Sequence, residues 1–218
     1  MSFDRLIEKI AALQNPTVAG LDPKLSYIPE HIKKEAFALH GRTLVGAAAA
    51  ILTYNRGLID ALAPIVPAVK PQAAYYEMYG WPGMRVLAET IRYARSKGMF
   101  VITDGKRNDI GATMEAYAAA HLGATEIEGK TEEAFGADAL TVNGYLGSDG
   151  IRPLLQVCAE RDKGIFVLVK TSNASSGELQ DQQLEGGNTV YRAMGDFCEE
   201  WGRELPGRFG YSGVGAVV

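Results

Sequence analysis

From Thr103 to Thr113 the chain reads Thr-Asp104-Gly-Lys106-Arg-Asn-Asp109-Ile110-Gly-Ala-Thr113, with carboxylates on both sides of a lysine. The apolar run Met99–Ile102 precedes it, and an alanine-rich pattern of helical spacing, Ile110–Leu122, follows. The motif therefore sits where the C-terminal end of a strand turns into a helix, which is where α/β proteins place their chemistry. Residues two apart on a strand share a face, so Asp104 and Lys106 can meet. Asp109 falls in the turn beyond them, and Thr113 follows it by one helical turn. Opposite charges this close favour the ionised form of each, the electrostatics expected of an acid–base site. The plainer reading is a polar turn rich in turn formers, and Arg107 with Asn108 fits a solvated or interface pair.

Other strand ends carry the same kind of residue. Apolar runs without polar alternation cover Thr17–Leu21, Ile65–Lys70, Met99–Thr103, Ala139–Val142, Gly164–Val169 and the segment from Tyr211 onward. Such runs predict strands buried on both faces, hence a parallel sheet covered by helices. Helical spacing is predicted over Phe3–Leu13 with Ser2 as N-cap, Glu30–Leu39, Thr43–Leu62, Gly83–Ser96, Ile110–Leu122, Gly150–Arg161, and Thr189–Glu204 with Asn188 as N-cap. Alternating β and α means a doubly wound sheet or a (β/α)8 barrel. Asp22, Lys70, Asp104 with Lys106, Asn143 and Ser172 close successive strands. A ring of polar strand ends favours the TIM-type barrel, of which about six of the eight βα units are present. The chain reads as one domain, with 23–42 as an insertion after the first strand.

Bulk properties narrow the function. A net charge of −4 over 218 residues advertises no surface for nucleic acid or acidic lipid. Cys158 and Cys198 lie far apart with no metal-ligand spacing, which points to a reducing compartment and no metal site. The most apolar stretch, Leu44–Leu52, is about half of a membrane span. The N-terminus is charged, unlike a signal peptide, and the expected location is cytoplasmic. Gly213-Val214-Gly215 lacks the further glycine and the helix of a dinucleotide fingerprint. His121, on an alanine-rich helix, reads as structural.

Asp104-x-Lys106-x-x-Asp109-Ile110-x-x-Thr113 resembles the signature of the orotidine 5′-phosphate decarboxylase family. The flanking Gly20-Leu21-Asp22-Pro23, Val69-Lys70-Pro71 and Lys170-Thr171-Ser172-Asn173 are similar to it as well, in the manner of the longer bacterial type 2 branch. The resemblance implies a cofactor-free, metal-free enzyme that removes the C6 carboxylate of a pyrimidine nucleotide. The lone pair left at C6 lies in the ring plane, out of reach of the π system, so a fixed cation must stabilise it. By resemblance Lys106, held by Asp104 and Asp109, is that cation and the proton donor. Asp104 sits beside the substrate carboxylate, Lys70 orients Asp104 and reaches the ribose, and Asp22 accepts a ribose hydroxyl. Ser172 meets the pyrimidine edge, and Asn143 is a minor candidate for ligand contact. Asp109, Ile110 and Thr113 are implied to enter the site of the other subunit, which makes the enzyme a homodimer.

The family binds phosphate with a glutamine after its seventh strand and an arginine after its eighth, and neither is found here. The sequence is therefore expected to be C-terminally short by about two βα units. Two alternatives follow. One is a non-catalytic or inactive barrel fragment. The other is a Mg²⁺-dependent sugar-phosphate decarboxylase or aldolase of the same superfamily, which needs a carboxylate ligand where this chain has Lys70.

Overall fold

A computed structural model describes residues 2–218. In chain order the elements are α1 (Ser2–Leu13), β1 (Val18–Leu21), α2 (Glu30–His40), α3 (Leu44–Leu62), β2 (Ala68–Pro71), α4 (Ala74–Glu77), α5 (Gly80–Ser96), β3 (Phe100–Arg107) and α6 (Gly111–His121). They continue with β4 (Thr125–Ile127), β5 (Lys130–Glu132), β6 (Ala139–Val142), α7 (Ser148–Arg161), β7 (Gly164–Leu168), α8 (Val190–Gly202) and β8 (Val214–Val217). Six strands form one parallel sheet in the order β1-β2-β3-β6-β7-β8. This is the consecutive order of a βα barrel, with β1 and β8 at its two edges.

Strand parity explains how the sheet sets up a site. On the inner face Ala68, Phe100, Ile102 and Ala139 cluster with Phe3, against which Leu6 and Phe166 pack. Phe3 reaches in from α1, its ring centroid 4.9 Å from that of Phe166. The N-terminal helix thus plugs the base of the sheet with apolar surface. Two residues further along each strand, on the same face, stand Lys70, Asp104 and Thr141. The outer faces pack against the helices in two cores, one around Ile51, Tyr76, Leu87 and Val101, the other around Leu140, Leu154, Ile165 and Trp201. Between α1 and β8 the interior opens into an apolar cleft of about 740 Å³ lined by Phe3, Leu6, Ile10, Phe166 and Val214.

The largest departure from the expected elements is β3, which does not stop at Thr103 but runs through the motif to Arg107. Its pairing with β6 accounts for the extra length. Thr103 faces Leu140 and Arg107 faces Val142, so β3 fits four steps against two and bulges in between. The second strand begins at Ala68 rather than Ile65, because the Ile65 and Val66 N–H groups both donate back to Leu62 and continue the helix end. The last strand is confined to Val214–Val217, since a tight turn joins Gly207 to Tyr211. Ser2 is not a cap but a residue of α1, and its hydroxyl donates to the Asp138 carbonyl. Asn188 is displaced as a cap by Thr189, and its amide donates to Asp196 instead. The charged stretch after α6 holds the exposed antiparallel hairpin β4–β5, and α4 follows β2; neither carries an apolar period long enough to read. Among the described residues no helix is long and apolar enough to cross a membrane.

Candidate active site

Asp104 lies at the C-terminal end of β3 and is 6% exposed. Every hydrogen-bonding position of its carboxylate is used. Oδ2 accepts from Lys70 Nζ at 2.5 Å and from Gln72 Nε2 at 3.0 Å. Oδ1 accepts from Lys106 Nζ at 2.6 Å and from the Thr141 hydroxyl at 2.8 Å. Burial is the largest influence on this group and opposes its charge, but the bonds from Lys106, Lys70 and Thr141 outweigh it and hold the carboxyl below its ordinary range. Lys70 and Lys106 keep a third to a half of their side chains exposed, so two ammonium groups anchored to one buried carboxylate face the open mouth.

The local chain conformation follows from the bulge. Lys106 has φ +47°, the left-handed region that residues with a Cβ seldom enter. Its N–H finds no strand carbonyl and donates to Thr141 Oγ at 3.0 Å. Gln72 is fixed just beyond β2, where it bridges to Asp104, and Ala73 N–H donates to the Asp104 carbonyl. Behind it the buried Tyr76 of α4 accepts from Asn55, which also donates to Thr90, tying α4 to α3 and α5. Gln72 and Thr141 were not among the residues singled out in the sequence. They are neutral, and only their parity with Lys70 and Asn143 marks them.

The other expected residues fall into two groups. Asp22 follows the last residue of β1 and is exposed, and Ser172 is exposed after β7 in a loop braced by Gln180, whose amide group bonds Thr171 on both sides. Asn143 is half-buried, and its Oδ1 accepts from Tyr145 N–H, so the side chain braces the turn after β6. Within one chain Asp109 does not join Asp104 in holding Lys106, and the expectation that it serves the other subunit's lysine concerns a contact between chains. Among the described residues no bond links Asp109 to that lysine, and its Oδ1 instead accepts from the next N–H, that of Ile110. Past Arg107, which pairs with Val142 at the end of β3, the chain leaves the strand and enters α6 through Gly111 at φ +52°. Ile110 is 52% exposed and Thr113 is exposed too. Arg107 is not a solvated turn residue. It pairs with Glu77 and lies over the Tyr117 ring.

His121 and the two cysteines stand apart from this cluster. Burial, then the nearby Arg107 charge, push His121 down to about 4, and its ring stacks on Phe135. Burial pushes the thiols of Cys158 and Cys198 up to about 12 and about 11, which leaves them unreactive. No group of three or more His, Cys, Asp or Glu among the described residues is arranged to hold a metal ion.

Residues 52–201 match the orotidine 5′-phosphate decarboxylase / HUMPS family. The chain is 40% identical over 215 residues to the orotidine 5′-phosphate decarboxylase of Caldicellulosiruptor saccharolyticus, covering 99% of this chain and 70% of that protein. It is 44% identical over 202 residues to the one from Rhodopirellula baltica, covering 93% and 65%. Among solved structures, Leishmania donovani OMP decarboxylase superposes with a TM-score of 0.74 at 30% identity, covering all of this chain and 70% of that one. The chain thus spans about 70% of the length of such relatives. The matched segment carries Lys70, Asp104 and Lys106 on neighbouring strands of a sheet in barrel order, and with similarity of this extent the chain belongs to the orotidine 5′-phosphate decarboxylase family.

Proposed function

We propose that this chain is a carboxy-lyase that converts orotidine 5′-phosphate to uridine 5′-phosphate, the closing step of pyrimidine nucleotide synthesis, without a cofactor. The observation that carries the reading is the Asp104 carboxylate, buried, fully hydrogen-bonded and flanked by two ammonium groups at the sheet mouth. The C6–carboxylate bond breaks with its electron pair left on C6, carbon dioxide departs, and Lys106 Nζ donates a proton to C6 and regains one from solvent. Lys106 is already anchored before substrate arrives, so little reorganisation is needed as charge develops. Asp104 keeps its negative charge close to the substrate carboxylate and disfavours the bound ground state. Lys70 orients Asp104 and reaches the ribose, Asp22 accepts a ribose hydroxyl, Ser172 meets the pyrimidine edge, and Asn143 borders the ligand.

Asp109, Ile110 and Thr113 complete the site of a second subunit in a homodimer. Supporting this, Asp109 lies off its own Lys106, and Ile110 is an exposed aliphatic side chain at the start of α6. Other large exposed apolar groups stand nearby: Met78 follows Glu77, the partner of Arg107, and Leu146 lies with Asp109 around Gly150. We read the chain as one barrel-type domain with 23–42 as an insertion, working in the cytoplasm on a nucleotide substrate.

The Mg²⁺-dependent alternative is disfavoured by chemistry. A cation at the mouth would have to displace Lys70 or Lys106 from Asp104, and Lys70 itself repels it. The test is the absorbance loss of orotidine 5′-phosphate with excess EDTA present. Turnover unaffected by the chelator is expected; turnover abolished by it would revive the metal-dependent reading, and no turnover with or without Mg²⁺ would favour the inactive one.

A further inference from the structure

We propose that Thr141 is a positioning residue, which sets the catalytic lysine by bonding its backbone and its carboxylate partner through one hydroxyl. This rests on the decarboxylase reading of the mouth. At the bulge, β3 places Asp104, Gly105 and Lys106 between two ladder positions where β6 has only Thr141. A regular ladder would give Lys106 N–H a backbone carbonyl. Here the acceptor is a side chain, Thr141 Oγ, at 3.0 Å. Because that N–H donates to the oxygen and a carboxylate only accepts, the hydroxyl proton points at Asp104 Oδ1, 2.8 Å away. Thr141 is 4% exposed, so water does not readily replace either bond.

The consequence is geometric. Lys106 sits at φ +47°, a conformation that persists only where its surroundings over-determine it. The Thr141 bond to its N–H is one such constraint. The other is the ion pair that turns the side chain back onto Asp104 Oδ1, the same oxygen that Thr141 holds. Backbone, ammonium and carboxylate thus share one anchor. Without it the ammonium keeps its charge but loses its aim, and misplacement of a reacting group by about an ångström can cost roughly a hundredfold.

Thr141→Val keeps the shape and removes both bonds, and Thr141→Ser restores both. The valine variant should lose about 10- to 100-fold in kcat for orotidine 5′-phosphate with KM within about threefold, and serine should recover most of the rate. In parallel, the Asp104 carboxyl is titrated by carbon NMR in the free protein. Its midpoint should rise in the valine variant and return in the serine one. Unchanged kcat and midpoint in Thr141→Val would overturn the proposal, as would a folded Thr141→Ser that behaves like a hydroxyl deletion. The serine arm decides if the valine variant fails to fold. If the unmodified chain does not turn over the nucleotide, the functional reading falls and the titration alone decides the role of Thr141.

Discussion

The two ends of the sheet each bury an aspartate, and they use it differently. At the base, Asp138 is 2% exposed and its carboxylate accepts from Val101 N–H at 3.0 Å and from Arg5 of α1 at 3.1 Å. Its main chain continues the clamp, exchanging bonds with Val101, Gly164 and the Ser2 hydroxyl. Those partners are backbone and a helix, so the aspartate fastens α1 beneath the strands. At the mouth, Asp104 accepts from four side chains, two of them ammonium groups open to solvent. Burial prevails over charge at the base, where it lowers both Lys163 and His121, although the Asp138 charge opposes it at Lys163. At the mouth, hydrogen bonds from side chains prevail and Asp104 stays ionised. A fold can bury charge at either end; the end whose charged partners face solvent is where a substrate can exploit it.

This contrast can be broken from either side. Lys106→Ala should cost at least about a thousandfold in kcat/KM with little change in unfolding free energy, since the ammonium is half exposed and its loss leaves Asp104 three donors. Loss of stability matching loss of activity would contradict the division of labour. Asp138→Ala should do the reverse. Urea unfolding should show a loss of about 2–3 kcal/mol, because the buried Val101 N–H loses its acceptor and Arg5 keeps only Asp162, while KM and kcat of the folded fraction hold.

The base should also set the acid stability. His121 is depressed from 6.5 to about 4 in the folded chain, so it favours folding fully above pH 6.5. As pH falls from there towards 4 the unfolded state takes up the proton first, and about 3 kcal/mol should be lost. Asp104, also depressed, contributes stability above its ordinary 3.8 that is lost only as pH falls through its lower folded value. Activity lost between pH 6.5 and 4 should therefore track unfolding, and His121→Phe, stacked on Phe135, should flatten the stability profile over that range. The smallest signal sharpens the mouth. Equal amounts of Asp109→Ala and Lys106→Ala proteins, each inactive, should regain about a quarter of the wild-type activity after subunit exchange, since half the dimers are mixed and each of those holds one intact site. No recovery would return Asp109 to its own subunit.

How much of this could be read in advance depended on what kind of interaction fixed each residue. Asp104, Lys70 and Lys106 were legible because charges at the ends of apolar strands have few places to go, and parity put them on one face. Gln72 and Thr141 share that parity but carry no charge, so nothing set them apart from ordinary strand-end polar residues. The bulge was not legible, because the two extra residues of β3 exist only relative to the register of β6, a tertiary fact. Asp109 as a second holder of Lys106 came only from the family resemblance, which draws it from the other subunit, and spacing within one chain could not assign it. The exposed hairpin β4–β5 was hidden by its charge. The barrel order was legible from six buried runs alternating with helices, while the strand limits moved wherever a turn or a helix end claimed the first N–H groups.

The central claim is that the charged mouth performs the chemistry. Its most direct test is a side-by-side assay of orotidine 5′-phosphate consumption and uridine 5′-phosphate formation by the wild-type chain and by Lys106→Ala, with matched circular dichroism and excess chelator. Stoichiometric conversion is expected of the wild type, and a loss of at least about a thousandfold of a variant that is equally folded. Equal rates from the two proteins, or conversion that requires a divalent metal, would contradict that claim.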